Sequence, residues 1–214
     1  MQILFCVFSP AGGDKSRAFI NKNLTLMKTP LRDPYDIVTS IEEYEALEDK
    51  YKYECLVVMN VYGGPFLIHV LNDQAKNSKR VKWVHSLLAG LDAVMGAKDF
   101  VNSKLKLTNV KGAYSAVLGE YIALGMLYHA KNVESFMLKK SEARWAQEPV
   151  ELISNKTMVI VGYGDVGYHC AKVAKQGFGT KVIGLKRRPE ATSAEHRRVV
   201  DQVVGMKSMK KVLG

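Results

Sequence analysis

Uninterrupted runs of apolar residues recur along the chain and predict the strands of a parallel β-sheet. Ile3–Phe8 and Cys55–Met59 contain apolar side chains throughout, the pattern of strands that are buried on both faces. Val81–Ser86 and Thr157–Val161 are two further predicted strands. More polar stretches of helical character separate these runs, so the sequence favours an α/β fold with parallel strands.

Two helices are predicted between the first three strands. Ser40 and Glu43 have the spacing of a capping box, which marks the start of a helix, and residues 64–76 form a second candidate helix. Together with the strands, these helices predict that residues 1–107 form one small open-sheet unit.

A long apolar helix is predicted near the start of a second unit, residues 108–214. Few polar residues interrupt the stretch from Ser115 to Leu127, whose apolar or small positions are Val117, Leu118, Tyr121, Ile122, Leu124, Gly125 and Leu127. A helix that is apolar on most sides is buried between units or in an interface. The later polar segment KKSEARWAQEPVELISNKT, which begins at Lys139 and contains Trp145 and Pro149, is predicted to be an extended arm that leads into the strand at Thr157.

A glycine-rich turn follows the last predicted strand, where Gly162, Gly164 and Gly167 form the pattern G-x-G-x-x-G before a predicted helix. In that context the first glycine permits a tight turn, the second lets the backbone approach a pyrophosphate, and the third lets helix and strand pack closely. The first helical residues, Asp165 and Val166, offer N–H groups and the positive end of the helix dipole to the phosphates. A glycine-rich turn without a ligand is the alternative.

The residues after the turn indicate which dinucleotide binds. The predicted helix Asp165–Gln176 leads to a second strand, Lys181–Pro189, at whose end NAD-binding proteins carry an acid for the ribose hydroxyls. This chain carries three basic residues there: Lys186, Arg187 and Arg188. Because guanidinium groups pair with phosphate in a bidentate manner, we predict NADP(H) in preference to NAD(H). Glu190 is the nearest acid, and its contact with a ribose is the competing interpretation.

The charge balance favours a small anionic ligand over nucleic acid. Of the 214 residues, 31 are Lys or Arg and 21 are Asp or Glu, which gives a formal net charge of +10. Such an excess attracts anionic partners. The basic segment from Lys181 to Gly214 contains no aromatic residues on which bases could stack, so binding to nucleic acid is not expected.

The cysteines and the hydropathy of the chain indicate a reducing, cytoplasmic location. Cys6, Cys55 and Cys170 lie far apart among apolar residues, so we predict three buried thiols and no metal site. No apolar run reaches the ~18 residues that a membrane helix needs. The first residues predict a strand and not a signal peptide, and no contact with a membrane is expected.

Three segments, in this order, resemble the D-isomer-specific 2-hydroxyacid dehydrogenase family. VKWVHSLLAGLDAVM is similar to a strand followed by the family's Ala-Gly-x-Asp loop. LTNVKGAYSAVLGEYIALGML is similar to its Thr-Asn segment and following helix, although Leu118-Gly119-Glu120 replaces a triplet like Val-Ala-Glu. The segment Glu151–Pro189 is similar to the family's nucleotide-binding strand, turn, helix and second strand. The resemblance implies a flavodoxin-like substrate domain at 1–107, followed at 108–214 by the interdomain helix, the arm and a partial Rossmann domain with a doubly wound parallel sheet.

The resemblance also implies an activity, the reduction of small 2-keto acids to D-2-hydroxy acids. The basic strand end resembles the glyoxylate and hydroxypyruvate reductase branch, which tends to use NADPH. The backbone N–H groups of Ala89 and Gly90 would bind the substrate carboxylate, a role that suits a glycine-containing loop. Tyr62 and Gly63 would lie at the mouth of the substrate cleft, and Leu118 would lie near the nicotinamide. The apolar helix would join two subunits in a homodimer.

The family's catalytic residues have no counterpart in this sequence. Members use an Arg, a Glu and a His, all after the second Rossmann strand, to clamp the carboxylate and to supply a proton. No residue here matches these three, and the sequence identifies no partner acid for any of the five histidines, so we predict no catalytic residue. We expect the C-terminally truncated part of a longer enzyme or a fragment that needs a partner. A non-catalytic nucleotide-binding or regulatory scaffold protein of the same fold is the alternative.

Overall fold

The computed structural model describes residues 1–8, 13–60 and 64–214, which divide into two compact units, Met1–Lys111 and Gly112–Gly214. The first unit extends past the boundary predicted at residue 107 because its last strand runs from Lys106 to Asn109. The strand pairs of both units are parallel, which confirms the predicted α/β class. In this described part of the chain, none of the helices has the length and apolarity needed to cross a membrane.

Strands and helices alternate through the first unit. The strands are β1 (Ile3–Phe8), β2 (Tyr35–Val38), β3 (Cys55–Asn60), β4 (Trp83–Ser86) and β5 (Lys106–Asn109). The helices are α1 (Gly13–Thr25), α2 (Ile41–Glu45), α3 (Pro65–Asn77), α4 (Asp92–Met95) and α5 (Lys98–Val101). The strand order β2-β1-β3-β4-β5 is the flavodoxin-like order.

The strands with continuous apolar sequences are covered by other elements on both faces of this sheet. On β1, Ile3 and Phe5 join a cluster that includes Ile20 of α1, whereas Leu4 and Cys6 join a cluster with side chains of α2 to α5. Successive side chains of a strand point to opposite faces, so an uninterrupted apolar strand requires helices on both. The three cysteines of the whole chain are buried and unpaired, as predicted.

The second unit begins with two helices and continues with a three-stranded parallel sheet. In chain order its elements are α6 (Ser115–Ala130), α7 (Val133–Ser141), β6 (Thr157–Val161), α8 (Asp165–Lys172), β7 (Lys181–Lys186), α9 (Ala194–Arg197), β8 (Gln202–Gly205) and α10 (Met209–Leu213). Short 3-10 turns lie at Ile153–Asn155, Pro189–Ala191 and Met206–Ser208. The order β6-β7-β8 is that of the first half of a doubly wound Rossmann sheet.

Several predicted boundaries in this unit differ from the structure. The α-helical part of the predicted helix Asp165–Gln176 ends at Lys172 and continues as a π-helical turn, Val173–Gly177. The predicted apolar helix from Ser115 to Leu127 lies within α6, which ends at Ala130, and Asn132, whose backbone is left-handed with φ of 48°, separates α6 from α7. Helix α7 then extends into the sequence predicted to be an extended arm.

The apolar helix α6 is not buried within its own unit. Among its residues only Ser115 and Gly119 are buried, whereas Val117, Tyr121 and Leu124 are 62%, 73% and 60% exposed. Its apolar face is therefore available to another surface.

Strand β7 lies against the aromatic ring of the glycine-rich turn. Tyr163 has no exposed surface, and a Cβ added to Gly184 would lie 2.5 Å from its Cγ and 2.9 Å from its Cβ. A side chain at position 184 would therefore displace the ring. The Tyr163 hydroxyl donates a hydrogen bond to the carbonyl oxygen of His196 at 2.7 Å, so the same ring also anchors α9.

We predict that Gly184→Ala lowers the free energy of unfolding of the second unit by about 1–3 kcal/mol, the usual cost of overpacking a core. Thermal and urea unfolding, followed by circular dichroism, measure this cost. Gly177→Ala is the matched control, because a Cβ there meets nothing within 4 Å. In a Tyr163→Leu background the cost of Gly184→Ala should shrink; equal costs in both backgrounds would rule out the ring as its cause.

Candidate functional site

A groove of about 700 Å³ opens at the carboxyl ends of the strands of the second unit. It receives Val161 from the end of β6, Lys186 from the end of β7 and Met206 from just after β8. The remaining lining residues are Gly162, Tyr163, Gly164, Arg187, Arg188 and Ala191. Ligands of doubly wound sheets bind outside this edge of the sheet.

The glycine-rich turn has the backbone geometry that its pattern predicts. Gly162 has φ of +93°, a conformation that side chains other than glycine rarely adopt. A Cβ at Gly167 would lie 3.0 Å from the carbonyl oxygen of Gly162, so this position lets α8 pack closely on the turn. A Cβ at Gly164 would meet no protein atom within 4 Å, so space beside Gly164 is open to a ligand.

Hydrogen bonds to β7 fix the turn. The N–H groups of Gly162 and Tyr163 both donate to the carbonyl oxygen of Leu185, at 3.0 and 2.7 Å. The N–H of Gly164 donates to the carbonyl oxygen of Gly162 at 2.8 Å. The turn is therefore rigid before any ligand binds.

The start of α8 presents free hydrogen-bond donors. The N–H of Tyr168 donates to the carbonyl oxygen of Gly164 at 2.9 Å. Within the described residues, the N–H groups of Asp165, Val166 and Gly167 have no protein acceptor. Such unpaired donors, with the positive end of the helix dipole, form a site for an anion.

Three basic residues line the groove without pairing to the protein. Among the described residues, no ion pair or hydrogen bond involves the side chains of Lys186, Arg187 or Arg188, and the lining contains no acidic side chain. Arg197 differs, because its guanidinium donates to the carbonyl oxygens of Pro189 and Thr192 at 2.7 and 3.3 Å. Arg197 therefore stabilises the turn after β7, and the three lining residues keep their charges available.

The sequence-predicted site residues fall into separate groups. Gly162, Gly164 and the three basic residues meet in the groove, whereas Asp165, Val166 and Gly167 form the adjoining start of α8 without lining it. Leu118 lies on α6, is 42% exposed and does not line the groove. Tyr62 and Gly63 lie outside the described residues, so their placement at a cleft stays a prediction.

Sequence reasoning missed four lining residues: Val161, Tyr163, Ala191 and Met206. Met206 could have been found, because it directly follows the third strand and ligands bind at the carboxyl ends of such strands. Ala191 belongs to the 3-10 turn Pro189–Ala191, and the sequence carries no pattern that brings this turn to the groove.

The predicted substrate loop belongs to the first unit and follows β4. Ala89 and Gly90 are exposed, and in the described part of the chain their N–H groups donate to no protein acceptor. Asn109 Nδ2 donates to the carbonyl oxygen of Ala89 at 2.7 Å, which ties the loop to the end of β5. The loop thus presents two adjacent backbone donors from a fixed position.

Two tyrosines near the turn have raised pKa values and serve as structural groups. Burial raises the pKa of Tyr163 to about 12. The hydrogen bond that Tyr168 donates to Glu195 at 3.0 Å raises the pKa of Tyr168, and its ring stacks on His196 with centroids 4.3 Å apart. Both phenols therefore keep their protons at neutral pH. Tyr163 links α9 to the glycine-rich turn, and Tyr168 links α9 to α8.

One histidine has an acid partner that the sequence did not reveal. His69 Nε2 lies 2.7 Å from Glu45 Oε1, and both side chains are about 40% exposed. His85 Nδ1 lies 2.8 Å from Thr108 Oγ1 on the neighbouring strand. No histidine lines the groove, and no cluster of three or more His, Cys, Asp or Glu among the described residues is placed to hold a metal ion.

Comparison with known protein families identifies the second unit. The sequence profile of the D-isomer specific 2-hydroxyacid dehydrogenase NAD binding domain matches residues 123–212. This range contains the glycine-rich turn, α8 and all three strands of the second sheet. A comparison with curated protein sequences gives no match.

Solved structures share the fold of the chain. A D-isomer specific 2-hydroxyacid dehydrogenase family protein from Aeromonas salmonicida has a TM-score of 0.73 at 20% identity, over 99% of this chain and 60% of its own. The NADPH-dependent glyoxylate/hydroxypyruvate reductase of Sinorhizobium meliloti, solved with NADP and sulfate, has a TM-score of 0.69 at 15% identity, over 100% and 59%. D-lactate dehydrogenase of Lactobacillus jensenii, solved with NAD+, has a TM-score of 0.64 at 16% identity, over 97% and 59%.

The chain thus spans about 60% of the length of these structures. At such identities the likeness to the solved structures establishes the fold alone, and the profile match is confined to residues 123–212. Residues 123–212 of the chain are thus similar to the NAD binding domain of the D-isomer specific 2-hydroxyacid dehydrogenases.

Proposed function

We propose that the groove of the second unit binds NADP(H) in preference to NAD(H), and that the protein reduces small 2-keto acids of the glyoxylate and hydroxypyruvate type to D-2-hydroxy acids. The observation that carries this proposal is that two sets of unpaired donors lie at the same edge of the second sheet. They are the N–H groups at the start of α8 and the three basic side chains at the end of β7. A dinucleotide with an additional phosphate supplies anions to both.

The groove has the chemistry that such a cofactor requires. The open space at Gly164 admits the pyrophosphate toward the free N–H groups of α8, and Arg187 and Arg188 offer planar donors to a 2′-phosphate. Ala191, Met206 and Val161 supply apolar surface for a flat base. Glu190, the acid that would favour NAD(H), does not line the groove. When bound, the nicotinamide supplies the hydride for the reduction.

The identity of the cofactor is proposed from this chain's own residues. The Sinorhizobium reductase was solved with NADP and the Lactobacillus dehydrogenase with NAD+, so proteins of this fold use both. The preference for NADP(H) therefore depends on Lys186, Arg187 and Arg188, and on the lack of an acid in the described lining.

The substrate would be held by the loop of the first unit. The unpaired N–H groups of Ala89 and Gly90 are suited to a carboxylate, since glycine permits close approach and two adjacent backbone donors match two oxygens. Tyr62 and Gly63 would lie beside the substrate, and Leu118 would lie near the nicotinamide. No residue of this chain is proposed to donate the proton.

A homodimer in a reducing, cytoplasmic compartment is part of the proposal. The exposed apolar residues of α6 and the 93% exposed Trp145 are apolar groups whose burial against a second copy would remove apolar area from water. The three buried, unpaired cysteines are typical of proteins from reducing compartments.

The proposal predicts that the purified 214-residue chain binds NADPH and oxidises it in the presence of glyoxylate or hydroxypyruvate. Calorimetry measures binding, and the absorbance of the reduced nicotinamide measures turnover. Binding without turnover would favour the alternative, a non-catalytic nucleotide-binding or regulatory scaffold protein, which is consistent with a chain in which no histidine lines the groove. If neither NADPH nor NADH binds, the groove has another role.

Loss of the basic pair should change cofactor preference. We predict that Arg187→Ala combined with Arg188→Ala raises the Kd for NADPH by about 10- to 100-fold, the loss of charged hydrogen bonds to one phosphate, and raises the Kd for NADH less than about threefold. Fluorescence titration measures both constants. Lys210→Ala with Lys211→Ala removes the same charge from α10, outside the groove, and is the control. Equal weakening of NADPH and NADH would contradict recognition of the 2′-phosphate.

The exposed face of α6 should control oligomeric state. We predict that Tyr121→Asp, at a position that is 73% exposed, converts the dimer to a monomer, because a charge would have to be buried in an apolar interface. Sedimentation velocity over a dilution series measures the change. Leu26→Asp, at a position of the first unit that is 70% exposed, should leave the dimer intact. An unmodified chain that is monomeric throughout would end the dimer proposal.

A further inference from the structure

The first residues of α6 and α8 are joined by a hydrogen bond. Ser115 begins α6 and is 2% exposed, and its hydroxyl donates to Oδ2 of Asp165, the first residue of α8. Neither side chain lines the groove. Ser115 Oγ makes this one bond in the described part of the chain, so the serine hydroxyl is committed to the aspartate.

Asp165 presents an electrostatic conflict at this position. It directly follows Gly164, which lines the groove, and its N–H is one of the free donors that the proposed pyrophosphate would use. A carboxylate stabilises the start of an empty helix. The same carboxylate would repel a pyrophosphate and compete with it for the free N–H groups.

The structure resolves this conflict by holding the carboxylate on the side of α6. The backbone of Gly112, which has φ of +93°, lies close to the carboxylate. A Cβ added at Gly112 would lie 3.6 Å from Asp165 Oδ2. The N–H of Ser115 donates to the carbonyl oxygen of Gly112 at 3.2 Å, so residues 112–115 form a turn against this side of Asp165. The carboxylate is thereby kept out of the groove.

Close packing of the two helices keeps Ser115 within reach. A Cβ at Gly119, one turn further along α6, would lie 3.2 Å from the carbonyl oxygen of His169 on α8. Glycine at this position thus allows the helices to approach closely. The hydrogen bond between Ser115 and Asp165 depends on that approach.

We infer that Ser115 is a positioning residue for dinucleotide binding, which holds the Asp165 carboxylate away from the pyrophosphate. This inference rests on the proposed function, because it assigns the pyrophosphate to the start of α8. Ser115 acts through Asp165 and touches no cofactor atom itself.

The inference predicts a loss that is the same for both dinucleotides. Ser115→Ala releases the carboxylate and should raise the Kd for NADPH and for NADH by about tenfold each, since both carry the pyrophosphate. Adenosine 2′-monophosphate, which has the 2′-phosphate but no pyrophosphate, should bind the variant and the unmodified chain alike. A general disturbance of the unit would weaken all three ligands.

Removal of the charge should cancel the loss. In an Asp165→Asn background, Ser115→Ala should change the Kd for NADPH less than about twofold, because no carboxylate is left to restrain. Ser115→Thr keeps the hydroxyl and should retain most of the affinity. Ser135→Ala is the matched control, since Ser135 also donates to a carboxylate, Glu148, at 2.6 Å, and neither residue lines the groove.

The outcomes separate this inference from the proposed function. If the unmodified chain binds neither dinucleotide, both fail. If it binds them and Ser115→Ala binds equally well, or if the loss persists in the Asp165→Asn background, the positioning role is overturned while the proposed function stands. A loss confined to NADPH would likewise overturn it.

Discussion

The contact between Tyr163 and Gly184 is the constraint on which the second unit depends. The ring occupies the space that a side chain on β7 would fill, and its hydroxyl reaches the backbone of α9. With the ring in place, the N–H groups of Gly162 and Tyr163 meet the carbonyl oxygen of Leu185. The turn, β7 and α9 are therefore fixed by one aromatic side chain, and the free start of α8 is held beside the basic end of β7.

Much of the fold followed from hydrophobic pattern alone. The predicted bounds of Ile3–Phe8 and Thr157–Val161 match β1 and β6, since long apolar runs leave little choice of structure. The edge strand β2 was not predicted, because it is four residues long and contains Asp36, which accepts hydrogen bonds from neighbouring side chains. Of the two hydrogen bonds of the predicted capping box, one forms: the Ser40 side chain accepts from the N–H of Glu43. The Glu43 carboxylate instead accepts from the N–H of Thr39 and pairs with Arg17.

The parts of the candidate site that come from one short stretch of sequence were predictable. The contacts between residues far apart in the sequence were not. Gly162, Gly164 and the basic residues lie at strand ends, which a local pattern identifies. The bond between Ser115 and Asp165 joins residues that are 50 positions apart, and the contact between Tyr163 and Gly184 depends on how two strands align. Such contacts arise from packing, which no local pattern encodes. The turn at Asn132, which separates α6 from α7, was not predicted, because a single left-handed residue leaves no periodic signal.

The distribution of charge at the groove favours an anionic ligand, as proposed above. At another place in the unit, a basic and an acidic group compensate one another: Lys175 pairs with Asp201 at 2.5 Å, and Asp201 also accepts from the N–H of Val182. That pairing lowers the pKa of Asp201, with the hydrogen bond from Lys175 as the largest cause. At the groove no such pairing is found among the described residues, because Lys186, Arg187, Arg188 and the helix start offer free donors, and the Asp165 carboxylate, next to the lining residue Gly164, is bound to Ser115. Uncompensated positive charge around such a turn favours a multiply charged anion, and the proposed dinucleotide would offer phosphates both to the helix start and to the basic side chains.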